Sequence, residues 1–206
     1  MSASLMIPGT QTGRRGALLP FVGDLMLRRA RAHEFVGPAR RTLAMMLAAK
    51  TQGPVFWIVP AWTAERLHAE GMWRFADPAR FTFFTPQRAE DVFWTMEEAL
   101  RSGIVPLVVA DIPGPPGLTQ VRRLHLAAET GLAETHRAPL GVLLTADASG
   151  APGIESRWRL DAAHGSQDRT GWTLTRQRSR TDPPKTWNLR PARDGFGLFD
   201  PPVSAA

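Results

Sequence analysis

The stretch HEFVGPARRTLAMMLAAK, residues 33–50, carries the residue types that bind phosphate. Gly37 follows an apolar run, Thr42 opens an alanine-rich helical stretch, and an apolar strand comes soon after. In a working phosphate loop, G-x-x-x-x-G-K-[ST], backbone N–H groups surround the phosphates, the lysine reaches the terminal ones and the hydroxyl binds magnesium. With Thr42 at the hydroxyl position, Arg41 falls on the lysine, Arg40 on the second glycine and Phe35 on the first, so Gly37 stands two residues too close. A loop shortened in this way, with an arginine where bare backbone must approach the phosphates, cannot encircle a triphosphate in the usual manner. Arg40 and Arg41 at the start of a helix are then expected to be solvated or to hold a stray anion.

A second concentration of chemistry lies near the C-terminus. The net charge is +6, carried almost wholly by arginine, and residues 157–193 hold the entire excess; outside that segment basic and acidic residues balance. Arg157 and Arg159 flank Trp158, so on a strand the two guanidiniums share one face and Trp158 and Leu160 the other. In WTLTRQRSR, Trp172, Leu174, Arg176, Arg178 and Arg180 have one parity. If pairing extends through it, the strand starts over the core and finishes in solvent as an arginine comb, with Lys185 in the next segment. Such a comb suits DNA phosphates, with tryptophan available to stack on single-strand bases. It equally suits an acidic protein partner, or a solvated edge strand whose charges discourage aggregation while the tryptophans close the core. Further on, GFGLFD presents Phe196, Leu198 and Phe199. That short hydrophobic peptide resembles sliding-clamp ligands without their glutamine; the simpler expectation is a tail docked on the domain's own apolar surface.

These groups need a scaffold. A chain of 206 residues with 43% apolar content suits one domain with a real core. No apolar run reaches membrane-helix length, and the charged start MSASLMIPGTQTGRRGALLP is unlike a signal sequence, so a cytoplasmic protein is expected. With no cysteine, disulfides and thiolate metal sites are excluded, and the five histidines lack ligand spacing. PVFWIVP (54–60), FTFF (81–84), IVPLVVADI (104–112) and APLGVLLT (138–145) read as strands, with Pro106 near the start of the third. Helices are expected around Ala64 to Glu70, after Thr85 as cap with Pro86 at its first position, and through LTQVRRLHLAAETG. The second of these has Val92, Phe93, Met96 and Leu100 inward and ends at Gly103; the third has Leu118, Val121, Leu124 and Ala128 inward. After Gly153, short alternating segments separated by polar turns predict antiparallel strands.

The order of these segments resembles the RecA family, from its phosphate loop (EFVGP..RTLAMMLAAK) through VFWIVPAWTAE to FTFFTPQRAEDVFWTMEEALRSGIVPLVVAD. That likeness puts Asp111 in the Walker B acidic position, although an acidic residue ending a buried strand serves equally as a structural cap. Within that superfamily, RAHEFVGPA, RRLHLAAETG and ESRWRL…GWTLTRQRSRTDPPKTWNL look like the ImuA family, SulA-related accessory proteins of damage-inducible mutagenesis. The resemblance spans about residues 28–190. The catalytic parts do not carry over: where RecA has a glutamate to prepare the attacking water, IVPAW places Ala61 or Trp62, and LLTA (143–146) replaces the polar strand end that senses the terminal phosphate.

The expected fold is α/β: a RecA-like, mainly parallel sheet flanked by helices, with a C-terminal antiparallel β extension. Its parts would be a flexible arm (1–17), the core with its degenerate phosphate loop (18–150), the basic extension of the same domain (151–193) and a flexible tail (194–206). The resemblance implies a non-enzymatic, cofactor-free accessory of SOS-response translesion DNA synthesis. Its implied partners are an ImuB-like protein, an error-prone replicative-type DNA polymerase and RecA, with DNA as a further ligand of the basic segment. The alternatives are a SulA-like division inhibitor that binds FtsZ, and a divergent ATPase completed by a partner in trans.

Overall fold

The computed structural model describes residues 18–146, 150–163, 171–193 and 195–200. The expected arm at 1–17, and His164, Asp168, Arg169 and 201–206, lie outside the described residues. The chain opens with a small hairpin, β1 (Leu18–Pro20) and β2 (Met26–Arg28). The α/β part follows: β3 (Ala32–Val36), α1 (Arg40–Ala48), β4 (Val55–Ile58), the short α2 (Ala69–Met72) and β5 (Phe81–Phe84). It continues with α3 (Ala89–Ser102), β6 (Leu107–Asp111), α4 (Leu118–Thr135) and β7 (Leu140–Leu144). Four strands close the chain: β8 (Ser156–Ala162), β9 (Trp172–Ser179), β10 (Lys185–Ala192) and β11 (Gly195–Phe199).

Nine strands join in one sheet, ordered β5-β4-β6-β7-β3-β8-β9-β10-β11. Pairing is parallel from β5 to β8 and antiparallel from β8 to β11. This is the α/β architecture expected from the sequence, and it has a direct cause. Continuously apolar strands such as β6 and β7 need cover on both faces, which strand–helix units supply; alternating strands need cover on one. One core joins the α1 face to the hairpin and runs across the sheet from Val55 to Leu189. The other lies beneath α3 and α4 and ends at β3 and the approach to β8, with Ala151 and Ile154. The two helices of that face cross closely because Gly131 lacks a side chain: a Cβ there would sit 2.3 Å from the Leu100 carbonyl oxygen.

Several local expectations need correction. The helix expected around Ala64 to Glu70 is reduced to α2, because the Arg66 guanidinium takes the carbonyls of Ala61, Thr63 and Glu65 that helical N–H groups would have used. α3 begins at Ala89, not after Thr85: the Ala61 N–H donates to the Pro86 carbonyl at 2.9 Å, engaging that carbonyl outside a helix, and Arg88 before the first turn is extended. Val92, Met96 and Leu100 are its buried stripe, with Phe93 half-buried. Leu118, expected inward, packs against Gly153 and stays half exposed. Finally, the part of the expected flexible tail from Gly195 to Phe199 is the edge strand β11, with Phe196 and Leu198 packed on the core and Phe199 exposed.

Candidate functional site

Gly37, Arg40, Arg41, Thr42 and Asp111 do meet, at the end of the sheet where β3 passes into α1 and β6 ends. Gly37 has φ +89°, and a Cβ there would lie 2.6 Å from the Leu160 carbonyl oxygen of β8. The same carbonyl accepts the Ala39 N–H at 3.2 Å, and the Arg40 N–H turns back to Gly37 O at 3.2 Å. Arg40 Nη1 donates to that Gly37 carbonyl as well, leaving its buried Nε without a partner among the described residues. Amides that would face phosphate in a working loop are thus tied to protein oxygens.

The carboxylate is tied too. Arg41 Nε and Nη2 lie 3.2 and 3.1 Å from Asp111 Oδ1, and the Trp57 indole N–H donates to Oδ2 at 3.2 Å. Arg41 also forms an ion pair with Glu65. The Arg41 guanidinium on α1 therefore neutralises the carboxylate at the end of β6 from inside the protein. Magnesium with a triphosphate does not fit this arrangement: the oxygen it would approach already faces a guanidinium, and the loop lacks a ring of free amides. Thr42 is half-buried and lines a groove beside α1.

On the opposite face of the sheet is a node with no counterpart in the sequence reading. Glu34 in β3 is fully buried and accepts from Thr145 Oγ1 at 2.6 Å, from the Ala151 N–H at 3.0 Å and from Arg157 Nε at 2.6 Å. Its neighbour His33 is buried on the α1 face, within a chain of donors. Trp158 Nε1–H donates to Ser156 Oγ (2.7 Å), that hydroxyl donates to His33 Nδ1 (2.7 Å), and His33 Nε2–H donates to the Arg28 carbonyl (2.8 Å). The tautomer follows from the network, since an indole can only donate. Burial lowers the His33 pKa from 6.5 to about 4, so the imidazole is neutral at physiological pH. A charged residue inside an apolar strand, AHEFV, was the available signal for Glu34.

The basic extension is largely inverted with respect to the expected comb. Arg157 is committed to Glu34 and Arg159 to Asp161, while Arg180 lies 3.4 Å from Glu155 and Lys185 3.2 Å from Asp200. Arg176 is enclosed: its guanidinium lies 5.6 Å from the Trp158 ring centre and 5.3 Å from that of Trp187, with Asp182 at 3.8 Å. Trp158 faces the core rather than a ligand. The single parity of Arg176, Arg178 and Arg180 also fails, for a stated reason. Trp158 is registered with Arg176 but Arg157 with Arg178, so a bulge inserts one residue between them and turns Arg178 to the Arg157 face. Arg178 is exposed and has no ion pair among the described residues; Arg190 is exposed with its guanidinium over Phe199.

Among the described residues no group of three or more His, Cys, Asp or Glu side chains could hold a metal ion, and no helix is long and apolar enough to cross a membrane. Comparison with protein-family models and with curated proteins returns no match for the chain.

Proposed function

We propose that this chain is a non-catalytic, RecA-like accessory protein of SOS-inducible translesion synthesis, of the ImuA kind, which acts in the cytoplasm by binding partner proteins. The partners the resemblance implies are an ImuB-like protein, an error-prone replicative-type DNA polymerase and RecA. The observation that carries the non-catalytic reading is the Arg41 guanidinium on Asp111. A hydrolase must keep that carboxylate open to a metal, whereas a docking body gains rigidity from closing it. The place in translesion synthesis rests on the resemblance of the segments quoted above, from EFVGP to KTWNL.

DNA has a smaller part in this reading than the sequence suggested, because Arg157, Arg159, Arg176 and Arg180 have intramolecular partners. The exposed Arg178, Arg190 and Arg193 remain as candidate phosphate contacts. Two measurements test the proposal together. Titration calorimetry of the isolated chain with ATP and magnesium is expected to give no saturable heat and no turnover. Co-purification with the ImuB-like protein and the polymerase, with and without single-stranded DNA over a salt series, is expected to retain the proteins without DNA. If DNA adds to retention through phosphates, log affinity falls with log salt at roughly −0.7 to −0.9 per contact, and Arg178→Ala with Arg190→Ala removes about two contacts. A triphosphate bound and hydrolysed by the isolated chain overturns the reading.

A further inference from the structure

Beside α1, a groove of about 890 Å³ runs between residues 66–75 and Pro191, Ala192, Gly195 and Phe196. A smaller cavity of about 230 Å³ continues it, sharing Arg74, Phe75, Gly195 and Phe196 and reaching Phe21 and Met46. Together they make an elongated cleft rather than a closed chamber. Its floor is apolar: Met45, Leu67, Met72, Phe75, Trp172 and Phe196. The rings there are already engaged with one another. Phe75 stacks on Phe196 at 5.9 Å and Trp172 meets Phe196 edge-on at 5.5 Å, so the cleft offers ring edges and methionine side chains, not an open face for a nucleobase.

Among the described residues the rim has basic charge in excess. Arg74 and Lys50 line it, both exposed and with no carboxylate partner among the described residues; Arg66 beside them holds the carbonyls of Ala61, Thr63 and Glu65, and Glu70 is acidic on the same lining. Arg41, at the inner end, is neutralised by Asp111 and Glu65. Resting on the reading of the chain as a partner-binding body, we propose that this cleft is a docking site for an acidic peptide segment with a bulky apolar anchor, supplied by a partner protein. The anchor enters above Met45 and Met72, whose unbranched thioethers adapt to different side chains, and its flanking carboxylates meet Arg74 and Lys50. The elongated shape favours an extended chain over a compact metabolite. A nucleotide is disfavoured because the place for its phosphates is filled by the Arg41–Asp111 pair.

The test uses an array of short synthetic peptides whose net charge runs from acidic to basic and whose central residue is tryptophan, phenylalanine, leucine or alanine. The full chain is expected to be retained by acidic peptides with a large central residue and not by their basic or alanine counterparts. Two variants separate the groove from the rest of the surface. Lys50→Glu with Arg74→Glu reverses the rim and is expected to weaken retention about tenfold. Gly71→Trp fills the cleft from a position where a Cβ meets nothing within 4 Å, and is expected to abolish it. Unchanged thermal midpoints show that both variants fold. Retention of no peptide, retention indifferent to charge or anchor, or retention unaltered in both variants overturns the proposal. Displacement of bound peptide by ATP with magnesium, followed by hydrolysis, instead overturns the non-catalytic reading. Co-purification of the partner proteins unaltered in both variants overturns the groove as their docking site and leaves the partner-binding reading standing.

Discussion

In the parallel half of the sheet, β4, β6, β7 and β3 are buried on both faces, by α1 on one side and α3 and α4 on the other. In the antiparallel half, β8, β9 and β10 are buried on the α1 face, and their other face carries half-buried and exposed polar residues. The same residue type therefore means different things in the two halves. A charge on a doubly covered strand must be satisfied inside, as Glu34 and Asp111 are. In the antiparallel half the face separates Arg176 from Arg178, while Arg157 on the uncovered face is held by the buried Glu34 of the neighbouring strand. Arg176, on the covered face, has a side chain only 11% exposed; Arg178, turned by the bulge, is exposed.

The largest effect is expected at Glu34. Glu34→Ala strands the Arg157 guanidinium, the Ala151 N–H and the Thr145 hydroxyl where water does not compensate, and removal of one member of a buried pair costs about 3–5 kcal/mol. Urea denaturation measures it, and a loss below about 1 kcal/mol, the range of a surface pair, would break the contrast between the halves.

Next comes a pH effect at the junction, where His33 lies beside Ser156 of β8. Its folded pKa, about 4, lies below the ordinary 6.5, so between these values the unfolded chain binds the extra proton. Stability from this group is complete above pH 6.5, declines as pH falls toward 4, and the total loss is about 3 kcal/mol. Comparing denaturation midpoints of the native chain and His33→Gln from pH 7 to pH 4 isolates it. The native chain should lose its advantage across that interval, and parallel curves would contradict the buried neutral imidazole.

Smaller and more diagnostic is the pair Arg176→Ala and Arg178→Ala. Contact with two indole rings makes the first cost about 1–3 kcal/mol. The second should stay within roughly 0.5 kcal/mol, as surface changes do. Equal costs would mean that the bulge does not divide the two arginines. If the second lowers retention on single-stranded DNA while leaving stability alone, the DNA part of the functional reading is sharpened to the outer face.

Much of the architecture was legible because period and composition are local. The apolar runs at 54–60, 104–112 and 138–145 read as strands, which the structure forms over Val55–Ile58, Leu107–Asp111 and Leu140–Leu144, and the alternation after Gly153 as antiparallel ones, since burial on two faces or one imposes those patterns directly. The defect in the phosphate loop was equally legible from spacing. The helix starts were less so: Thr85 and Pro86 look like a cap and first turn, and only the Ala61–Pro86 hydrogen bond from a neighbouring loop shows why α3 begins later.

By itself the sequence determined which half of the chain alternates and which is continuously apolar, where the arginines concentrate, and that Gly37 to Thr42 cannot form an ordinary phosphate loop. Only tertiary structure decided where each guanidinium goes. Arg41 reaches Asp111 across 70 positions of chain, Arg157 reaches Glu34 across 123, and one bulged residue separates Arg176 from Arg178. Charge is a property of a residue and can be counted along the chain. Pairing depends on strand order and register, which long-range packing sets and no local pattern encodes.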